Sequence, residues 1–123
     1  MGYTKKYMNR HTNVIQSAGS AIKGTKHGLV GRNFRILLFF AIVAIFLTFY
    51  FPITATERYI IITLVAVVLA GELFNTSIEE LADVLIQEHH PGIARVKELA
   101  AGAMLFLVTA AAIIGLYIFI PYF

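Results

Sequence analysis

Hydrophobic and charged positions segregate along this chain into blocks far longer than the core segments of a water-soluble domain. From Ile36 to Thr56 no residue carries a charge, and a helix that crosses the hydrocarbon core of a bilayer needs about 20 apolar residues. The pattern predicts a first span over 36–56, with Pro52 suited to its end because proline lacks the N–H that a helix interior uses. Glu57 and Arg58 read as a short polar turn. Tyr59 to Gly71 is again uncharged but too short to cross alone. Continued as a helix, it runs into Glu72 and ends at Asp83, giving a second span over 59–83 that begins apolar and ends acidic. Leu99 to Phe123 is uncharged and supplies a third span over 99–123. That span opens with Ala100, Ala101, Gly102 and Ala103, small enough for close helix packing in lipid. It closes with Tyr122-Phe123, an aromatic flank suited to the membrane interface.

Ahead of the spans, Val14, Ile15, Ala18, Ala21 and Ile22 recur at helical spacing beside Lys23 and Lys26. This predicts an amphipathic helix lying on an anionic membrane surface. Gly24, Gly28 and Gly31 read as bends before the first span. No apolar stretch precedes Ile36, so residues 1–35 do not read as a signal peptide. Lys at the sixth position breaks the myristoylation pattern after Gly2. The expected architecture is one all-α membrane domain over 1–123, with a surface segment (1–35) followed by three transmembrane helices.

Composition agrees. Hydrophobic residues make up 59% of the chain and charged residues 14%, with a mean hydropathy of +0.77. Soluble domains are about a quarter charged, so an ordinary water-soluble enzyme is excluded. The absence of cysteine excludes disulfides, thiolate metal sites and cysteine nucleophiles. The net charge of +3 is local. Lys5, Lys6, Arg10, Lys23, Lys26, Arg32 and Arg35 all lie in 1–35 with no acid among them. The first loop holds only Arg58, and the second, about 84–98, holds Arg95 and Lys97. The positive-inside rule then puts the N-terminus and second loop in the cytoplasm, and the first loop and C-terminus outside. The chain reads as a multi-pass protein of a bacterial inner membrane, with no nucleic-acid partner.

The chemistry is concentrated in the second span. At 100° per residue, Glu72, Asn75, Glu79 and Asp83 share an arc of about 80°, with Thr76 close by. Facing lipid, each charge costs roughly 2.5–3.5 kcal/mol on insertion scales, so the stripe faces protein or a wet cavity. Several readings fit such a stripe. The carboxylates can pair with Lys or Arg across a helix interface, bind a divalent cation through hard oxygen ligands, or take up protons. Asn75 also suits a simple helix–helix hydrogen bond, and Arg95 and Lys97 suit topology signals. A metal-bound carboxylate beside a free one is the arrangement that phosphoryl transfer to an alcohol uses: one acid holds the metal and the other accepts the hydroxyl proton. No GxxxxGK[ST] or GxGxxG sequence is present, so a nucleotide would bind outside those phosphate cradles. A cation or proton pathway would need polar groups through Leu64 to Ala70, which offers none.

Glu72-Leu-Phe-Asn75-Thr76-Ser77-Ile78-Glu79-Glu-Leu-Ala-Asp83 resembles the signature E-x-x-N-[ST]-x-[IV]-E-x-x-x-D of the small prokaryotic integral-membrane lipid kinases, the diacylglycerol and undecaprenol kinases. The likeness covers nearly the whole chain. Ser17-Ala18-Gly19 with Lys23-Gly24 is similar to the family's surface helix, and Arg32-Asn33-Phe34-Arg35-Ile36 to its approach to the first span. Glu88-His89-His90-Pro91 resembles an E-Y-H-P stretch, and Lys97-Glu98-Leu99-Ala100-Ala101-Gly102-Ala103 a K-D-x-A-A-G-A stretch. The last stretches look more like undecaprenol kinases than diacylglycerol kinases.

The resemblance implies a homotrimer with sites between subunits at the cytoplasmic face. It implies ATP as co-substrate, Mg²⁺ as cofactor, and a membrane lipid alcohol as acceptor. Carried over by position, Glu72 is the general base and Glu79 a metal ligand. Asn75 and Asp83 hold the polar network, and Glu88, His90, Lys97 and Glu98 contact the nucleotide, with Lys97 on its phosphates. The expected reaction is ATP- and Mg²⁺-dependent phosphorylation of undecaprenol, with diacylglycerol as the alternative acceptor. Three positions depart from the family pattern. Gly31 stands where the family has a second metal-binding Glu, Glu98 replaces an Asp, and His89 replaces a Tyr. Gly31 keeps a second class of reading in play, a degenerate homologue without catalysis.

Overall fold

A computed structural model describes residues 14–123 of the chain. Lys5, Lys6, Arg10 and the rest of the expected surface segment up to 13 lie outside the described residues. Among the described residues four α-helices follow one another: α1 (Val14–Gly28), α2 (Arg32–Tyr50), α3 (Ala55–Leu85) and α4 (Pro91–Phe119), with a final 3₁₀ turn over Ile120–Tyr122. There is no strand among the described residues. The last three helices are long and apolar enough to cross a membrane. The all-α architecture of a leading helix and three spans is the one expected.

The helix bounds differ from the expected spans at every junction, for local reasons. Tyr50 ends α2 because Phe51 precedes Pro52 and adopts an extended conformation, φ −88° and ψ 149°, as the residue before a proline prefers. Glu57 and Arg58 do not form a turn. They lie in the first turn of α3, where Thr54 caps the helix. Glu57 N–H donates to Thr54 Oγ1 at 3.2 Å, and Thr54 N–H donates to Glu57 Oε2 at 2.8 Å. This reciprocal box satisfies two of the donors a helix start leaves open. The second loop shortens to about 86–90, because Pro91 opens α4 and draws Arg95, Lys97 and Glu98 into the helix. Gly24 lies within α1 and makes no bend, whereas Gly28 ends that helix and Gly31 caps α2.

α3 is the central helix. It packs most extensively on α4, next on α2, and also touches α1. Two glycines allow its closest approaches. A Cβ at Gly71 would fall 2.4 Å from Leu107 Cδ1 and 3.2 Å from Met104 Sδ. A Cβ at Gly28 would fall 2.4 Å from Leu73 Cδ2. Small residues let helices approach closely where lipid supplies no hydrophobic drive. One draws α4 against α3, and the other draws the α1–α2 junction against it.

The two ends of the bundle differ. At one end Ile53, Ile61, Ile118 and Phe119 form a buried cluster, flanked by Leu47, Phe51 and Tyr122. Phe51 stacks near Tyr122 and Phe123, with ring centroids 5.5 and 5.2 Å away. Exposed Tyr50, Tyr59 and Tyr117 surround this end, as tyrosines do at a membrane–water interface. Thr48 is fully buried there, its hydroxyl donating to the Ala44 carbonyl at 2.7 Å. The other end carries the acidic stripe. α3 has 31 residues, about 46 Å at 1.5 Å per residue, against a hydrocarbon core of about 30 Å. Measured from Tyr59, that core is used up near Glu79. Glu72 lies about 20 Å along the helix from Tyr59, well inside it.

Candidate active site

The site is built on the acidic half of α3 and the first turns of α4. Glu72 is 4% exposed and Asn75 6%, so both are withdrawn from the helix surface into the bundle. Asn75 and Thr76 are polar neighbours of the Glu72 carboxylate, and Glu79 lies within electrostatic reach. Asn75 Nδ2 donates to Glu79 Oε1 at 3.4 Å. Its Oδ1 is buried and has no hydrogen-bond partner among the described residues. A buried carboxamide oxygen left unpaired costs about 1–3 kcal/mol, so this atom is set to receive a donor or a cation. Glu79 is half-buried one turn further on, where the helix nears the membrane boundary.

Asp83 and Lys97 meet. The Lys97 ammonium forms an ion pair with Asp83 Oδ1 across the α3–α4 turn. Asp83 is exposed, so the last acid of the stripe belongs to this surface pair rather than to the buried group. Both partners keep solvent contact, and an exposed pair contributes only about 0–1 kcal/mol. It therefore holds Lys97 in place without making it hard to release.

His90 closes the same turn. Its Nδ1 accepts the Gly92 N–H at 3.0 Å and caps α4. The cap occupies Nδ1 and leaves Nε2 as the ring's other polar atom. A Cβ on Gly92 would fall 3.0 Å from His90 Cε1, so glycine there leaves room for the ring to fold back. Glu88 and Glu98 are exposed near this turn. No hydrogen bond or ion pair among the described residues joins Glu88, His90 or Glu98 to Glu72, Asn75 or Glu79.

The stripe therefore divides into a buried group, Glu72–Asn75–Glu79, and a surface group, Asp83–Lys97 with Glu88, His90 and Glu98 near it. Among the described residues no three His, Asp or Glu side chains gather as a ready metal site. Gly31 has ordinary extended dihedrals, φ −71° and ψ 133°, and no side chain with which to cap α2. Its backbone does not require glycine. Gly31 N–H donates to Gly28 O at 3.0 Å. Gly28 in turn rests on Leu73, the residue after Glu72, and a Cβ at position 31 would meet only the Gly28 carbonyl oxygen, at 3.3 Å.

Three features of this half of the bundle escaped sequence reasoning: the close approach at Gly71, the His90 cap and the Asp83–Lys97 pair. His-Pro-Gly did carry a signal for the cap, since proline favours the first helical position. The ion pair joins two helices across a turn and has no signal in either segment.

Comparison with known proteins identifies the family. The family model described as prokaryotic diacylglycerol kinase matches residues 19–119. The chain is similar to the undecaprenol kinase of Bacillus subtilis (strain 168), with 32% identity covering 93% of this chain and 91% of that relative. It is also similar to the diacylglycerol kinases of Escherichia coli (strain K12) and Shigella flexneri. Each of these is 26% identical over 83% of this chain and 84% of its own length.

Proposed function

The chain belongs to the prokaryotic diacylglycerol kinase family and is an integral-membrane lipid kinase, and from this premise we propose that it transfers the γ-phosphoryl group of ATP to the hydroxyl of undecaprenol, with Mg²⁺. The observation that carries the reading is a buried carboxylate, Glu72, in an otherwise apolar span, beside an unpaired Asn75 oxygen and a second carboxylate at Glu79. The 32% identity to an undecaprenol kinase favours the polyprenol.

Glu72 accepts the proton of the lipid hydroxyl as that oxygen bonds to the γ-phosphorus and ADP departs. Burial among apolar side chains keeps bulk water from competing for the phosphoryl group. Glu79 and Asn75 Oδ1 are oxygen donors of the kind Mg²⁺ takes, and the ion usually binds one or two carboxylates together with substrate phosphates. Held there by Glu79 and Asn75 Oδ1 together with the nucleotide, Mg²⁺ would supply neutralisation of the phosphate charge. Lys97 exchanges its weak pairing with Asp83 for the nucleotide's phosphates, while Glu88, His90 and Glu98 contact the rest of the nucleotide. Asp83 stays as the polar group that steers Lys97. The acidic end faces the cytoplasm, where ATP is available, with the N-terminus on that side and the C-terminus outside. Three copies assemble, so that each site draws residues from two chains.

The test is transfer of labelled γ-phosphate from ATP in lipid micelles, with undecaprenol and diacylglycerol offered in parallel. Transfer to undecaprenol at the higher kcat/KM, abolished by chelating Mg²⁺, supports the reading. Preference for diacylglycerol moves the chain to the second reading, which the 26% relatives favour. No transfer to either lipid from folded protein points to Gly31, and Gly31→Glu is then the variant that separates a lost ligand from a wrong function.

A further inference from the structure

The cap on α4 uses an acceptor that can be switched off. Most helix N-caps are Ser, Thr, Asp or Asn, which accept through a side-chain oxygen. Here the acceptor is an imidazole nitrogen, His90 Nδ1, which takes the Gly92 N–H at 3.0 Å. Pro91 has no N–H to offer, so Gly92, the second residue of the helix, supplies the donor. A backbone N–H can only donate. Nδ1 must therefore present its lone pair, and in the neutral ring the proton then sits on Nε2. An imidazolium, with hydrogen on both nitrogens, cannot make this bond. The backbone thus selects the tautomer, as the bond made by one ring nitrogen generally does for the other.

Gly92 also makes room for the ring. A Cβ at position 92 would lie 3.0 Å from His90 Cε1 and 3.1 Å from Nδ1, inside the roughly 3.5–4.0 Å at which carbon atoms pack best. A side chain at position 92 therefore pushes the ring off its donor and frees it to exchange tautomers. His90 is exposed, and its Nε2 makes no hydrogen bond among the described residues. Lys97 follows seven residues later, which is two helical turns, so both residues lie on one side of α4, about 10 Å apart along it.

We infer that Gly92 is a positioning residue for ATP: it locks His90 as the Nε2–H tautomer, so that the ring meets the nucleotide only as a hydrogen-bond donor. The inference rests on the kinase reading above, in which His90 touches the nucleotide. It adds the direction of that contact and the residue that sets it. The partner of Nε2 is then an acceptor: a phosphate or ribose oxygen, or an unprotonated ring nitrogen of the base. The amino group of adenine is excluded, because its hydrogens would face another donor. Lys97 brings charge to this side of α4, and the neutral His90 ring brings direction.

Nitrogen NMR of full-length protein labelled at histidine, in micelles, reads the tautomer directly. At about pH 8.5, well above the usual imidazole pKa of about 6.5, the nucleotide-free protein should show His90 with Nδ1 bare and Nε2 protonated. Loss of these signals in His90→Asn identifies them. Adding Mg²⁺ and ATP should shift the Nε2–H resonance and leave Nδ1 bare. In Gly92→Ala the signals should move toward a mixture of tautomers. Equilibrium binding of labelled ATP supplies the second readout. Gly92→Ala should raise Kd about threefold, as a misaligned donor weakens its bond. His90→Asn keeps a cap, since asparagine is among the best N-cap residues, so the thermal midpoint should hold. Its Kd should nonetheless rise about fivefold, within the range of one lost hydrogen bond. Adding Gly92→Ala to His90→Asn should raise Kd no further, because position 92 acts through the ring and contacting residues are not additive. A His90 ring protonated at Nδ1, with or without nucleotide, overturns the inference. An unmoved Kd in His90→Asn also overturns it and leaves His90 a structural cap alone. So does an undiminished effect of Gly92→Ala once the ring is gone. Failure of the unsubstituted protein to bind ATP overturns the kinase reading instead, and the nucleotide-free spectrum still decides the tautomer.

Discussion

The two ends of the helical bundle solve opposite problems with the same three helices. At the aromatic end Ile53, Ile61, Ile118 and Phe119 close on one another, and Phe51 meets Tyr122 and Phe123. The apolar side chains there pack on one another, while Arg58 Nε, in the first turn of α3, is buried with no hydrogen-bond partner among the described residues. At the acidic end the helices bury Glu72 and Asn75 but leave Asn75 Oδ1 without a partner among the described residues. They hold Lys97 by an exposed ion pair and leave Glu88 and Glu98 in the open. Among the described residues both ends carry one buried unpaired polar atom, and the difference lies in kind: an apolar cluster dominates one end, and buried carboxylate and carboxamide groups dominate the other, the division expected when one end anchors the bundle and the other binds ligands. Strain and unpaired groups persist at functional sites because surrounding structure holds them.

The contrast breaks most sharply at Glu72. Glu72→Gln keeps the shape and removes the base, so phosphoryl transfer should fall at least about 100-fold, within the usual contribution of general-base catalysis. Helix content by circular dichroism should stay as it was. Transfer within threefold of the unsubstituted rate would take the base assignment away from Glu72. A smaller effect is expected at the surface pair. Lys97→Met should raise KM for ATP about tenfold, whereas Asp83→Asn should raise it less. If Asp83 acts only by steering Lys97, the double variant should behave like Lys97→Met alone, since residues in contact are not additive. Independent losses would give Asp83 a separate task.

At the aromatic end the order of effects reverses. Ile118→Ala should lower stability in micelles by about 1–2 kcal/mol, the cavity share of a core truncation, because lipid removes most of the transfer share. The KM for ATP should not move. The smallest change is expected from Gly31→Glu. The backbone there already has dihedrals open to any residue, and an acid at a helix start contributes about 0.3–1 kcal/mol. Because a Cβ there also meets the Gly28 carbonyl oxygen at 3.3 Å, stability should change by less than that, and the Mg²⁺ concentration for half-maximal transfer should fall several-fold. An unaltered Mg²⁺ dependence would show that position 31 does not reach the metal.

Much of this was readable from sequence. Uncharged runs gave the three crossing helices, and the 3.6-residue period put Glu72, Asn75 and Glu79 on one face of the central one. The period did not separate Asp83 from that group, because its partner, Lys97, arrives only when α4 folds back. The capping box at Thr54 and Glu57 was written plainly as T-x-x-E, yet the adjacent charges of Glu57 and Arg58 look like a loop. The second loop looked longer than it is for the same reason, since Arg95, Lys97 and Glu98 are charged yet helical. The packing of the apolar residues had no sequence signal. Helices that are apolar all round carry no amphipathic period, so nothing marks which valines face a neighbour and which face lipid.

Glu72 stands about 10 Å inside the membrane boundary, taking the core of about 30 Å from Tyr59 and the roughly 20 Å between the two residues. A neutral alcohol rests there at little cost, but a phosphate monoester carries up to two negative charges and would face two carboxylates in a medium that solvates it poorly. On the proposed assignment of the acceptor's hydroxyl to Glu72, the same depth that admits the acceptor rejects the product. On that assignment, chemistry would convert a molecule at home in hydrocarbon into one driven toward the water at the end of α3, and each turnover would empty the site for the next.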